Sequence, residues 1–155
     1  MRFFGNIEAK TDSKGRVFLP AVFRRVLGSA GEVSLVMRKD IHETCLVLYP
    51  ESVWNEYLDR LNAKINKWNA EQRRVFRKFV SDVEIVTLDM NGRFLIPKRY
   101  LKMANIGQSI QFKGMDDTIE IWGQQEEEKA QMSSEEFSQS MEKLMGTTNR
   151  VFDEW

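Results

Sequence analysis

The chain is poor in the residues that staple or ligate. It has one cysteine, Cys45, and one histidine, His42, among 155 residues. A lone cysteine excludes an intramolecular disulfide and fits a reducing compartment. The same shortage leaves a zinc site of the usual ligand types unbuilt, so no metal and no cofactor is expected. Long apolar runs are missing as well. Val17-Phe18-Leu19-Pro20-Ala21-Val22-Phe23 is among the longest and is interrupted by proline, far short of a bilayer span. The first residues, Met1-Arg2-Phe3-Phe4-Gly5-Asn6, turn polar too soon for a signal peptide, so a cytoplasmic protein is expected. With 42% hydrophobic and 30% charged residues, the composition is that of a globular protein of ordinary domain size.

Excess charge of either sign is also lacking: 23 basic residues balance 23 acidic ones. The balance is uneven along the chain. Residues 124–155 hold eight acidic and three basic side chains, leaving residues 1–123 with a net positive charge of five. Such asymmetry points to a binding face with an acidic appendage.

What the chain does have is a repeat. Asp12-Ser13-Lys14-Gly15-Arg16-Val17-Phe18-Leu19-Pro20 returns 77 residues later as Asp89-Met90-Asn91-Gly92-Arg93-Phe94-Leu95-Ile96-Pro97, with four of nine positions identical. Leu46-Val47-Leu48-Tyr49 and Ile119-Glu120-Ile121-Trp122 extend the match, so the chain is a tandem duplication. In each copy a strand (7–11 and 83–88) enters a turn at Asp12 or Asp89, and Gly15 or Gly92 supplies the positive φ that closes it. A second strand follows (16–19 and 93–96). Short helices then run over 20–27 and 97–104, starting at Pro20 or Pro97 and ending ahead of Gly28 or Gly107. Two more strands close each half, at 32–38 with 45–49 and at 109–113 with 118–122.

Between the halves, apolar spacing predicts helices over 51–62 and 69–81, the second with Arg73, Arg74, Arg77 and Lys78 on a basic face. One surface helix is expected over 124–145. Past Gly146 the chain is expected to fray unless Phe152 or Trp155 docks. The organisation expected is a first half over 1–50, a helical insert over 51–81, a second half over 82–123 and an acidic helix and tail over 124–155.

No catalytic constellation emerges. Asp12 and Asp89 sit at turn entries, where aspartate bonds backbone N–H groups, His42 lies in a loop, and Cys45 reads as a buried small hydrophobe. Glycine and serine form no phosphate loop or nucleophile elbow. An enzyme is not expected. Each copy instead offers an arginine just past a tight turn. Lys14 and Arg16 flank Gly15, with Arg24 and Arg25 on the helix that follows, a concentration suited to phosphate contact and guanine readout. Arg93 follows Met90 and Asn91, a thinner loop. Asp12 with Arg16, and Asp89 with Arg93, can equally form ion pairs that stiffen the turns.

The paired Asp-x-x-x-Arg motifs, each with three apolar residues and a proline, together with Cys45-Leu46-Val47-Leu48-Tyr49-Pro50 and Ile119-Glu120-Ile121-Trp122, resemble the MraZ family over about residues 1–123. Each half also resembles the AbrB-type swapped-hairpin DNA-binding module. The resemblance implies an α+β fold, with two interleaved β-rich halves forming a small barrel and helices outside. It implies a transcriptional regulator, mostly a repressor, of the division and cell-wall gene cluster. Such a regulator binds short direct repeats of double-stranded DNA upstream of its own operon, as a ring-like homo-oligomer at the nucleoid. DNA-contacting residues would be Arg16, Lys14, Arg24, Arg25 and Arg93. Asp12, Gly15, Asp89 and Gly92 would shape the turns. Met90 stands where the family often has lysine. The competing reading is an oligomeric scaffold whose acidic tail and Trp155 recruit partners without DNA.

Overall fold

The computed structural model describes residues 1–146; Phe152 and Trp155 lie outside the described residues. Eight strands and six helices are present among them. The first half supplies β1 (Asn6–Lys10), β2 (Arg16–Phe18), α1 (Ala21–Ser29), β3 (Leu35–Lys39) and β4 (Leu46–Pro50). The insert forms α2 (Glu51–Lys64) and α3 (Ala70–Ser81). The second half repeats the first as β5 (Glu84–Val86), β6 (Arg93–Leu95), α4 (Lys98–Met103), β7 (Ser109–Met115) and β8 (Thr118–Gly123). Two helices follow, α5 (Gln124–Ala130) and α6 (Ser134–Met145).

The halves do not stand apart. Six strands form one antiparallel sheet in the order β1-β7-β8-β4-β3-β5, and β2 pairs with β6 in a separate ribbon. Exchanging each strand for its repeat partner reverses this order, so a pseudo-twofold axis passes between β4 and β8. The ribbon obeys the same axis, because its central pair, Val17 with Phe94, is one motif position taken from both copies. Interleaving follows from size: three or four short strands cannot cover an apolar face alone. The sheet is not closed into the expected barrel. The three-residue strands β2 and β6 pair only with each other and do not bridge the edges β1 and β5.

The core lies between sheet and ribbon. Phe3, Leu19, Phe23, Ile96, Tyr100 and Phe112 are all fully buried there, drawn from both halves. On the other face of the sheet, Val36, Val47 and Tyr49 pack under Val53 and Trp54 of α2, and Trp54 stacks on Phe79 of α3 at 5.0 Å. Beyond Phe79 the third helix is a surface element with no buried residue.

The acidic stretch departs from expectation. Instead of one surface helix there are two, because Ser133 caps a new one. Its Oγ accepts from the Glu136 amide, an N-cap bond, and its hydroxyl donates to the Glu136 carboxylate. The first of the two is anchored: Glu127 is only 2% exposed and pairs with Lys113 of β7 at 3.0 Å.

Candidate nucleic-acid interface

Both motif loops are built by an aspartate that grips the backbone. Asp12 Oδ1 accepts the amides of Lys14 and Arg16, each at 2.9 Å, while Oδ2 accepts Arg16 Nε at 2.7 Å. Asp89 repeats the pattern with the Asn91 amide at 2.8 Å, the Arg93 amide at 2.9 Å and Arg93 Nε at 3.0 Å. The Arg16 amide, foremost among these donors, holds the Asp12 carboxyl down at about 2, and the Arg93 amide lowers that of Asp89. Gly15 and Gly92 take φ of +87° and +82° and donate back to the Asp12 and Asp89 carbonyls. The loops are then tied across the ribbon: Ile96 N–H donates to Gly15 O and Leu19 N–H to Gly92 O, both at 2.9 Å.

The result is a preset pair of arginines. Val17 and Phe94 point into the core, so Arg16, Phe18, Arg93 and Leu95 share the outer face of the ribbon. Arg16 opposes Leu95 and Phe18 opposes Arg93, with the Arg93 guanidinium 5.7 Å from the Phe18 ring. Each arginine spends its Nε on its own aspartate. Neither Nη group of either arginine has a hydrogen-bond partner among the described residues. The ion pairs expected of the turns are therefore present in both copies, and they orient the arginines without using up their forks.

The remaining predicted residues do not all gather at the first loop. Lys14 stands exposed at its tip. Arg24 is handed to the other copy: its Nε donates to Leu19 O at 3.0 Å, and its guanidinium covers Gly92, within 2.8 Å of where a Cβ there would sit. The equivalent residue of the second copy, Leu101, covers Gly15. Arg25 faces elsewhere, in a shallow depression shared with Met1, Arg2 and Val22. The expectation of four cations around one loop is corrected to Lys14 with Arg16 at the first loop and Arg24 with Arg93 at the second. Interleaving is the reason, and adjacency in sequence carried no sign of it.

One cluster of metal-ligating residue types exists among the described residues: Asp40, Cys45 and Glu120, their ligand atoms within 4.8 Å of one another. Its groups are engaged otherwise. Asp40 accepts the His42 and Glu43 amides, and Glu120 accepts Trp122 Nε1 at 2.9 Å. Burial, with Glu120 nearby, pushes the Cys45 thiol far up, so it keeps its proton. No described helix is long and apolar enough to cross a membrane.

Comparison with known proteins shows the family. The family model described as MraZ protein matches twice, over residues 3–78 and 79–148. A protein of Phocaeicola vulgatus named transcriptional regulator MraZ is 58% identical over 151 residues, covering 97% of this chain and 98% of its own. One of Bacteroides thetaiotaomicron with the same name is 55% identical over 150 residues, covering 97% and 96%. A more distant one, of Anaeromyxobacter dehalogenans, is 35% identical over 120 residues, covering 77% and 83%. These names are those of regulators, not of enzymes. With both halves matched and near-full-length identity above one half, the chain belongs to the MraZ family.

Proposed function

We propose that the chain is a sequence-specific DNA-binding transcriptional regulator that reads duplex DNA with the outer face of the β2–β6 ribbon. The observation that carries this reading is the pair of aspartate-braced arginines with open Nη edges. A guanidinium held rigid in an exposed loop loses little entropy when it takes the N7 and O6 of a guanine in the major groove. Lys14 and Arg24 supply phosphate contacts that position the ribbon without reading sequence. The relatives' shared name, transcriptional regulator, supports the same reading.

The finer function follows the family resemblance. The chain acts mostly as a repressor of the division and cell-wall gene cluster, on short direct repeats upstream of its own operon, in the cytoplasm at the nucleoid. A ring-like homo-oligomer would present the ribbon many times and bind tandem boxes with avidity. Within each subunit the first loop leads, because the charged Lys14 at its tip has the uncharged Asn91 as its counterpart in the second.

Footprinting upstream of the gene, followed by gel-shift titration of Arg16→Ala and Arg93→Ala, tests the proposal. Arg16→Ala is expected to abolish specific binding, by about 1–3 kcal/mol per base contact, multiplied over subunits. Arg93→Ala is expected to weaken it less, with size-exclusion profiles unchanged for both. Absence of duplex binding at low salt would favour the scaffold reading. A larger loss from Arg93→Ala would reverse the roles of the loops.

A further inference from the structure

Strand β3 alternates as a two-faced strand should. Leu35 and Met37 enter the main core, and Val36 enters the cluster under α2. The next residue on Val36's side is Arg38, a charge where the pattern calls for an apolar group. It is only 7% exposed. Its Nη1 donates to Lys39 O at 2.9 Å, and its guanidinium lies 4.6 Å from the centre of the Phe79 ring. Its Nε has no acceptor, and no carboxylate lies within ion-pair distance among the described residues. A buried cation without a counter-anion is costly, so such groups are ordinarily paired.

Arg38 lines a half-open cavity of about 860 Å³ between α3, the end of β3 and α4. The volume is that of a small-molecule site. Ile41, Val75, Phe79 and Met103 give it apolar walls, while Arg74 and Lys78 add cations at the rim. Of its three acids, Glu71 is at the exposed first turn of α3, and the other two are already engaged. Asp82 pairs with Arg99 at 3.5 Å and Lys78 at 3.9 Å, and Asp40 accepts the amides of its own loop. None of the lining residues belongs to the motif loops, so the cavity is separate from the ribbon.

We propose that this cavity binds a small organic carboxylate with an apolar body, its headgroup supplying the anion that Arg38 lacks. A carboxylate would meet the guanidinium at Nη2, since Nη1 is held by Lys39 O and Nε is sealed from solvent, and the apolar body fills the space against Phe79, Val75 and Met103.

Calorimetric titration of the full-length protein with octanoate tests this, using 1-octanol as the uncharged analogue and acetate as the headgroup alone. Octanoate is expected to bind about tenfold or more tightly than 1-octanol, and acetate not to bind measurably. Arg38→Gln should erase the preference for octanoate. Val75→Trp, at a residue 55% exposed, should fill the cavity and abolish octanoate binding while circular dichroism stays native. Equal binding of octanoate and 1-octanol, or octanoate binding untouched by Val75→Trp, would overturn the proposal. So would octanoate binding that appears only when residues 147–155 are deleted or when assemblies are diluted apart. Those outcomes would give the cavity to the chain's own end or to a second copy.

Discussion

Gly15 and Gly92 occupy one motif position with nearly the same φ, yet alanine should not cost the same at both. The left-handed conformation costs a non-glycine residue about 1–2 kcal/mol at either site. Reduced freedom of the unfolded chain returns about 0.4–1 kcal/mol. The surroundings then differ. A Cβ at Gly92 would meet the Arg24 side chain, with Nη1 2.6 Å and Cδ 2.7 Å away. Arg24 is exposed and can swing aside at the cost of one hydrogen bond to Leu19 O. A Cβ at Gly15 would meet the Ile96 carbonyl oxygen at 2.6 Å, backbone of a fully buried residue that also donates to Gly15 O. Relief there means shifting the ribbon and weakening a hydrogen bond worth about 0.5–1.5 kcal/mol. Gly92→Ala is therefore expected to destabilise by about 1–2 kcal/mol and Gly15→Ala by about 2–4 kcal/mol, close to 5–15 °C in Tm for a chain of this size. Urea titration followed by tryptophan fluorescence, at one fixed protein concentration so that assembly contributes equally, measures the difference. If Gly92→Ala proves as destabilising as Gly15→Ala, the distinction between a yielding side chain and an unyielding backbone is wrong.

Deleting residues 132–155 removes five acidic and two basic residues while sparing Gln131, which bonds Glu127. Duplex affinity should rise, and the gain should shrink with added salt; weaker binding by an intact assembly would contradict this. The Asp12 carboxyl titrates at about 2 in the folded chain against 3.8 unfolded, so its grip on the first loop is fully present above pH 3.8 and lost as pH falls towards 2. Carboxyl-carbon NMR should show Asp12 still ionised at pH 3, and an ordinary titration there would sink the idea. Cys45, fully buried with its thiol pushed up, should react with a disulfide reagent at pH 8 only as fast as the protein unfolds; rapid labelling of the native chain would disprove that.

Much of the local structure was legible because each signal was local. The repeat, the Asp turn entries and the positive-φ glycines predict β1 through α1 and β5 through α4 within a residue or two. The N-cap at Ser133 is equally readable, since serine ahead of an acidic first turn is a helix start, but the composition of 124–145 points to a single helix instead. Other features had no local signal. That Arg24 serves the loop of the second copy follows from β2 pairing with β6, a contact between segments 77 residues apart. Arg38 reads as a charge ending a strand, and only the packing of α3 over the sheet buries it. Glu127 looked like one more solvated acid in a run of three until Lys113 of β7 claimed it.

The strand order also sets a timetable for synthesis. The β3–β4 hairpin is complete once Pro50 is made, but β1 pairs only with β7, which ends at Met115. At roughly 5–20 residues per second, β1 waits about 5–20 s for its neighbour, the first partner in its own chain. Through that interval its backbone groups have no strand to pair with and stay open to another chain. On a crowded polysome, the β7 of an older chain presents the same register of Ser109 to Lys113 that β1 will later accept at home. Slow translation between Lys10 and Ser109 should therefore raise the yield of strand-exchanged dimers, and fast translation should suppress it.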